Sequence, residues 1–297
     1  MIQKIANKLL APIETFMVSS VGKPQYPPIF ILGLPRSGTT LLYQYMAHRL
    51  KVAYFMNGTD RLPHATALNT SIRLALFGIY HSDFSNSYGN IPGPNAPHEG
   101  GDFWAQFWGY RDYIAYKDVS AKDEDIISGT IAKIEQLFKG VPFINKNVKN
   151  ILRIDAISKI FPQSNFIVID RELKDAGVSL IRSRKQNMGD IAQWWSVRPP
   201  NWRELEGLAP AEQIARQLIG LREKLNKDLG RIQTQRKYRL SYKQFCSAPE
   251  SEIAKIAAKF SLEKKDTLGK ESFPISVNEA QSAEEEDLIE MIAKLES

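Results

Sequence analysis

Gly33-Leu34-Pro35-Arg36-Ser37-Gly38-Thr39-Thr40 gathers two glycines, an arginine and three hydroxyls into one short stretch. Such a set can surround a tetrahedral oxyanion. Hydroxyls and backbone N–H groups donate hydrogen bonds, and a guanidinium adds a planar fork of charged donors. Glycines at both ends permit the unusual dihedrals and the close backbone approach that this needs. Other reactive residues are scattered along the chain. Lys146 stands between Asn145 and Asn147, and Arg171 has Ser179 eight residues further on. Pro97-His98-Glu99-Gly100-Gly101-Asp102 packs an imidazole and two acids together just ahead of Phe103, Trp104, Phe107 and Trp108.

The elements that must position these groups can be read from the pattern. The apolar run at Ile29–Leu32 predicts a buried parallel strand, and the amphipathic run over Leu41–Leu50 predicts a helix. A strand, a tight loop and a helix N-terminus together aim backbone N–H groups at an anion. The spacing Gly33-x4-Gly38 is that of a P-loop, but Thr39 stands where the phosphate-binding lysine belongs, and the charge sits at Arg36. A second such unit follows: strand Asn165–Asp170, then Arg171, then a helix over Lys174–Arg184. Further strands are predicted at Val52–Met56, Val141–Asn145 and Tyr238–Tyr242. Helices are predicted at Met1–Ser20, Arg61–Tyr80 (apolar stripe Leu68, Ile72, Leu76, Ile79), Asp123–Lys139, Asn150–Ile160, Pro210–Leu229, Pro249–Phe260 and Ala283–Leu295. Alternation of strands and helices implies an α/β fold: three layers, α/β/α, with a central parallel sheet and a P-loop-like nucleotide-binding core. The chain reads as a single domain over 1–297, with an N-terminal helix and lead-in over 1–27 and a long Gly/Pro-rich active-site loop over 81–101.

The loop Gly33–Thr40 resembles the 5′-phosphosulfate-binding loop of the sulfotransferases that use 3′-phosphoadenosine 5′-phosphosulfate (PAPS), and its P-R-S-G-T-T form is similar to the bacterial and tyrosylprotein-type branches. Arg171-Glu172-Leu173-Lys174-Asp175-Ala176-Gly177-Val178-Ser179-Leu180 resembles the same family's R-D-P-x-D-x-x-x-S-L segment, with Leu173 in place of the proline. The resemblance assigns Arg36, Ser37, Gly38, Thr39 and Thr40 to the 5′-phosphosulfate and Arg171 and Ser179 to the 3′-phosphate. It puts Tyr242 beside the adenine, although the acids of the family's Y-E-D-L segment are absent from Tyr242-Lys243-Gln244-Phe245. It makes Lys146 the cation at the bridging oxygen, where positive charge stabilises a leaving phosphate. It spans about Ile29 to Leu262.

On this reading the protein transfers a sulfuryl group from PAPS to an acceptor hydroxyl. The positive field comes from Arg36, Lys146 and backbone N–H groups, and no metal is expected. The acceptor is a small molecule or a glycan. A carbohydrate is the first expectation, because Trp194, Trp195 and Trp202 offer faces on which sugars stack. An acceptor hydroxyl must lose its proton, so a base is needed. The family's histidine after the lysine has no counterpart in Asn147-Val148-Lys149-Asn150. Glu99 is the first candidate, followed by two glycines that let it approach a ligand. His98 assists or orients it, and Asp60 is the alternative carboxylate. The competing role for Glu99 is to cap the aromatic helix that begins near Asp102. Two other functions stay open: an atypical P-loop nucleotide kinase or NTPase, marked by Mg²⁺-dependent ATP turnover, and a non-catalytic nucleotide-binding protein, marked by binding without transfer.

Composition sets the remaining bounds. The 297 residues carry a net charge of +6 and contain one cysteine, Cys246. One thiol excludes an intrachain disulfide and fits a reducing compartment, and Cys246 reads as a structural thiol away from the motifs. The mild positive excess suits an anionic nucleotide, and no basic tract of the nucleic-acid-binding kind is present, so no nucleic-acid partner is expected. No apolar run reaches the ~20 residues of a membrane-spanning helix. A cytoplasmic protein is therefore expected, with residues 1–20 able to make peripheral membrane contact as an amphipathic helix.

Overall fold

The computed structural model describes residues 2–85 and 90–296; positions 86–89 of the long loop lie outside the described residues. In chain order the elements are α1 (Ile2–Ser19), β1 (Ile29–Leu32), α2 (Thr39–Arg49), α3 (Thr66–Phe77), α4 (Gly101–Trp108), α5 (Ala121–Leu137), β2 (Ile144–Lys146) and α6 (Ile154–Ile160). They continue with β3 (Asn165–Asp170), α7 (Leu173–Met188), α8 (Pro210–Leu229), β4 (Lys237–Ser241), α9 (Tyr242–Ser247), α10 (Pro249–Phe260) and α11 (Ala283–Glu296).

The four strands form a parallel sheet in the order β2-β1-β3-β4, flanked by helices, as the alternating pattern implies. The strands at the centre are buried on both faces: Phe30, Ile31, Phe166, Ile167 and Ile169 expose almost nothing. Burial on both faces is why they read as unbroken apolar runs. The parallel arrangement puts the C-terminal ends of β1, β2 and β3 on one edge, where Gly33, Lys146 and Asp170 stand. Loops at that edge of an open α/β sheet are where such folds bind ligands.

Several boundaries differ from expectation. Val52–Met56 is fully buried but forms no strand. Only Ala53 bridges to Phe143 and only Met56 to Pro97, because the backbone between them turns to serve the long loop. The Phe55 carbonyl accepts the His98 N–H (2.7 Å) and the Asn57 N–H goes to Ala96 (2.9 Å). Lys146 is the last residue of β2 rather than the first after it. Tyr242 opens α9 rather than closing a strand, since Ser241 and Gln244 form a capping box that starts the helix there. The expected stripe Leu68, Ile72, Leu76, Ile79 does not enter the core: Ile72, Leu76 and Ile79 are exposed.

Candidate active site

The loop between β1 and α2 is locked from behind. Gly38 adopts φ 96°, and a Cβ there would lie 2.4 Å from the Tyr242 ring, so the position requires glycine on both counts. The first intrahelical bond of α2 runs from the Leu42 N–H to the Gly38 carbonyl (3.1 Å). The amides before Leu42 are thus left over at a helix N-terminus, and Thr39, Thr40 and Leu41 line the cleft in front of it. Ser37 does not. Its side chain is buried, its N–H is bonded to the Leu34 carbonyl (3.1 Å), and its hydroxyl lies where a Cβ on Gly33 would be. It sits inside the loop, against Gly33, with its hydroxyl unpartnered among the described residues.

Arg36, in the left-handed region at φ 67°, reaches across the cleft. Its Nε donates to the Ser179 hydroxyl (2.9 Å), and its own carbonyl accepts from Arg171 Nη1 (2.9 Å). Arg171 also bonds the Ser276 carbonyl and lies over the Tyr242 ring, 4.6 Å from its centroid. Its Nε is buried and has no partner among the described residues. Residues far apart in the chain thus make one cationic cluster, an arrangement suited to a doubly charged phosphate. This cluster lines a cleft of about 600 Å³ together with Lys146, Glu99, Trp195 and Asn278.

Ser276 and Asn278 were not legible in the sequence as site residues, and Trp195 is marked there only as one of three faces for a sugar. Asn278 is fixed by Asp175: its N–H donates to Oδ1 (2.9 Å) and its side-chain amide to the main-chain carbonyl (2.7 Å). No motif marks the coil that carries it. Cys246, read as remote, lies one turn after Tyr242 and interacts with it; burial pushes the thiol pKa up, as for a structural cysteine.

At the far end of the cleft Lys146, 5% exposed, forms an ion pair with Glu99 Oε1. The asparagines beside the lysine also hold the glutamate: Asn145 and Asn147 both donate to the Glu99 main-chain carbonyl, at 3.2 and 3.4 Å. Tyr43 donates to the His98 carbonyl (3.2 Å). Gly100 adopts φ 68° with the Phe55 ring packed 2.5 Å from where a Cβ would stand, so the turn that presents Glu99 also requires glycine. The cap of α4 is Gly100 itself, without a side-chain bond, so Glu99 faces Lys146 and does not cap the helix.

Asp60 and His98 lie beside this pair. Asp60 Oδ2 is 3.2 Å from His98 Nδ1, the same nitrogen that faces the Gly100 N–H at 3.1 Å. Both residues line a second recess of about 300 Å³, with Tyr43, Asn90, Ile91 and Pro97, and this recess meets the cleft at Thr40, Glu99 and Lys146. The structure therefore brings Lys146, Glu99, His98 and Asp60 to one junction, with Arg36, Arg171, Ser179 and Tyr242 further along the cleft.

Burial pushes the Asp60 carboxyl above its usual range; the His98 charge opposes the rise and Asp102 adds to it. A carboxyl raised in the folded state stabilises the fold while protonated, and that stability is lost as pH rises through the folded pKa. Asp60→Asn should therefore raise the melting temperature at neutral pH, and the gain should shrink as pH falls through that raised pKa. Thermal melts of both proteins across the acid range check it, and a gain that does not vary with pH contradicts it.

Two rings of the expected tryptophan platform, Trp194 and Trp202, are occupied. Arg198 lies 4.5 Å from the Trp202 ring centroid and 5.8 Å from that of Trp194; Arg184 also faces Trp194, and Arg203 also faces Trp202. Only Trp195 of the three lines the cleft. Asp170, the strand-end acid that a kinase would need, is directed to Arg239 at 3.2 Å.

Comparison with known proteins agrees with this architecture. The omega-hydroxy-beta-dihydromenaquinone-9 sulfotransferase Stf3 of Mycobacterium bovis is 22% identical over 257 residues, which cover 77% of this chain and 61% of that protein. The chain thus spans about three fifths of the length of the curated relative it matches. Among solved structures, the sulfotransferase STF1 from Mycobacterium tuberculosis has the same fold, with a TM-score of 0.58 at 15% identity over 89% of this chain and 75% of that one. STF9 from Mycobacterium avium follows at 0.53 and 14%, over 96% of this chain and 73% of that one. A sequence profile described as the sulfotransferase family matches residues 27–266, a span that holds the anion loop, Glu99, Lys146 and the Arg171–Ser179 unit. The chain belongs to the sulfotransferase family.

Proposed function

We propose that this protein transfers a sulfuryl group from PAPS to the hydroxyl of an amphiphilic alcohol. The observation that carries this reading is the junction: two recesses, one cationic and elongated, one small and mixed, share Thr40, Glu99 and Lys146. The donor set fits a 3′,5′-bisphosphate nucleotide, with leftover α2 amides, threonine hydroxyls and Arg36 for the 5′-phosphosulfate and with Arg171 and Ser179 for the 3′-phosphate. PAPS supplies a sulfuryl group joined to a phosphate leaving group. As the acceptor oxygen bonds to sulfur and the bond from sulfur to the phosphate oxygen breaks, Lys146 holds positive charge beside the departing oxygen. Glu99 takes the acceptor proton, and His98, whose Nδ1 either accepts from the Gly100 N–H or, when protonated, donates to Asp60, orients the approach. The chemistry is mainly positioning and electrostatics. The single thiol, which forms no intrachain disulfide, fits a cytoplasmic site of action.

The smaller recess supports this acceptor class. Ile91, Pro97 and the Tyr43 ring offer apolar contact, while the polar groups converge where a hydroxyl would react. Two of the three tryptophans that favoured a sugar, Trp194 and Trp202, carry arginines, and the third, Trp195, lines the larger cleft rather than this recess. The curated relative is named for a hydroxylated menaquinone, which agrees with an alcohol on an apolar body. Radiolabelled PAPS offered with prenyl alcohols and with oligosaccharides tests this. Label should enter the prenyl alcohols, and labelling of the sugars alone would return the acceptor to the carbohydrate class.

The 3′-phosphate assignment has its own check. Arg171→Ala should weaken 3′-phosphoadenosine 5′-phosphate by about tenfold or more, and hardly affect adenosine 5′-phosphosulfate, which lacks the 3′ group. Equal weakening of the two by calorimetry would show that Arg171 serves the loop rather than the phosphate.

A further inference from the structure

α1 and α3 pack together: the buried Glu14 carboxylate accepts the Ala67 and Leu68 N–H groups at 2.7 and 2.9 Å, at the start of α3. Each helix turns apolar side chains to solvent. On α1 these are Ile5, Leu9 (69% exposed), Ile13 and Phe16 (77%), at helical spacing on the side away from Glu14 and Val18. On α3 and just beyond it they are Ile72, Leu76 (69%), Phe77 and Ile79. Scattered exposed leucines are ordinary, but eight large apolar residues on two neighbouring helices and the turn after α3 are not.

The solvent-accessible charges of these two segments have one sign. Among the described side chains of residues 2–20 and 61–81 the charged groups are Lys8, Arg61 and Arg73 against one acid, Glu14, which is buried as the cap just described; exposed acids stand on neighbouring segments, at Asp83 and at Asp125 of α5. An apolar face whose own segments carry basic residues and no exposed acid matches the interface of an anionic bilayer, which attracts cations at the headgroups and apolar side chains just beneath. It matches a protein partner less well, because such surfaces usually mix charges around the apolar centre.

The face is also tied to the smaller recess. Asn95 donates to the Phe77 and Gly78 carbonyls (3.0 and 3.3 Å), and Arg73 Nε donates to the Pro94 carbonyl (3.2 Å). Asn57 donates to Ile91 and Gly93 (2.6 and 2.8 Å). The segment that supplies Ile91, Pro97, His98 and Glu99 to the recess is thus bonded to the exposed end of α3.

We propose that the apolar face of α1 and the C-terminal half of α3 docks the protein on an anionic lipid surface, from which an amphiphilic acceptor reaches the adjoining recess. The acceptor clause rests on the function proposed above; the docking itself does not, and it is measured without turnover. The full chain is sedimented with vesicles of phosphatidylcholine alone and of phosphatidylcholine mixed with phosphatidylglycerol. Binding should favour the mixed vesicles by about tenfold or more and weaken with added salt. L9S/F16S and L76S/F77S should each reduce that binding by about tenfold. These side chains are exposed, so melting temperature and affinity for 3′-phosphoadenosine 5′-phosphate should be unchanged in both variants, which shows that the fold is kept. Absence of vesicle binding overturns the proposal, as does binding that both variants retain. A self-associating protein whose dimers, rather than vesicle binding, are lost in the variants also overturns it and makes the face a contact between copies. Failure of sulfuryl transfer in solution assays would leave the docking result standing, and the converse holds too.

Discussion

Lys146→Met should lower kcat by about 10²–10³-fold while 3′-phosphoadenosine 5′-phosphate binds within a few-fold of its normal affinity. Methionine is chosen because Lys146 is buried in the last position of β2, and an unbranched apolar chain refills most of its volume. The split between rate and affinity is the informative part. A lysine that merely attracted an anionic ligand would act equally on bound and reacting states. One that meets charge appearing on a departing oxygen acts on the transition state. The substitution also removes the ion-pair partner of Glu99, which is partly solvated and keeps its main-chain bonds from Asn145 and Asn147. Rapid-quench measurement of one turnover, beside calorimetry, separates the two effects. Normal turnover would leave Lys146 as a structural partner of Glu99.

Glu99→Gln should keep the fold and donor affinity and cut turnover by about 10²-fold or more. Glutamine preserves an oxygen for Lys146 Nζ, and the Asn145 and Asn147 bonds go to the main-chain carbonyl, which the substitution leaves alone. What is lost is the capacity to accept a proton. If Glu99→Gln turns over normally while Asp60→Asn or His98→Ala is inactive, the base is on the other side of the recess.

Local signals suffice wherever one strand, one loop and one helix are consecutive. The units Ile29–Thr40 and Asn165–Ser179 stand as the pattern implies, because apolar runs, glycines and a charge at a strand end are local statements. Lys146 was placed by its neighbours, yet its pairing with Glu99 joins residues 47 apart and has no local mark. Ser37 looked like its hydroxyl neighbours; only the direction of its side chain, set by the turn around Gly33, distinguishes it. The stripe on α3 misled for a physical reason: periodicity records that one face is apolar, not what covers it. Ser276 and Asn278 sit in coil, where position is decided by Arg171 and Asp175 rather than by their own sequence.

The bonds from Arg171 to the Arg36 carbonyl and to the Ser276 carbonyl bear on how the protein is made. Synthesis proceeds from the N-terminus, so the loop around Gly38 emerges long before Tyr242 and Ser276, which complete its surroundings. Nascent chains are therefore expected to carry an anion loop with no ring over Gly38 and no partner for Arg171, and to acquire nucleotide affinity late and abruptly. Closing contacts across so much of the chain is slow, and a nucleotide that binds only the finished site shifts the equilibrium toward it. Refolding in the presence of 3′-phosphoadenosine 5′-phosphate should accordingly raise the yield of native protein more than it accelerates the earliest steps.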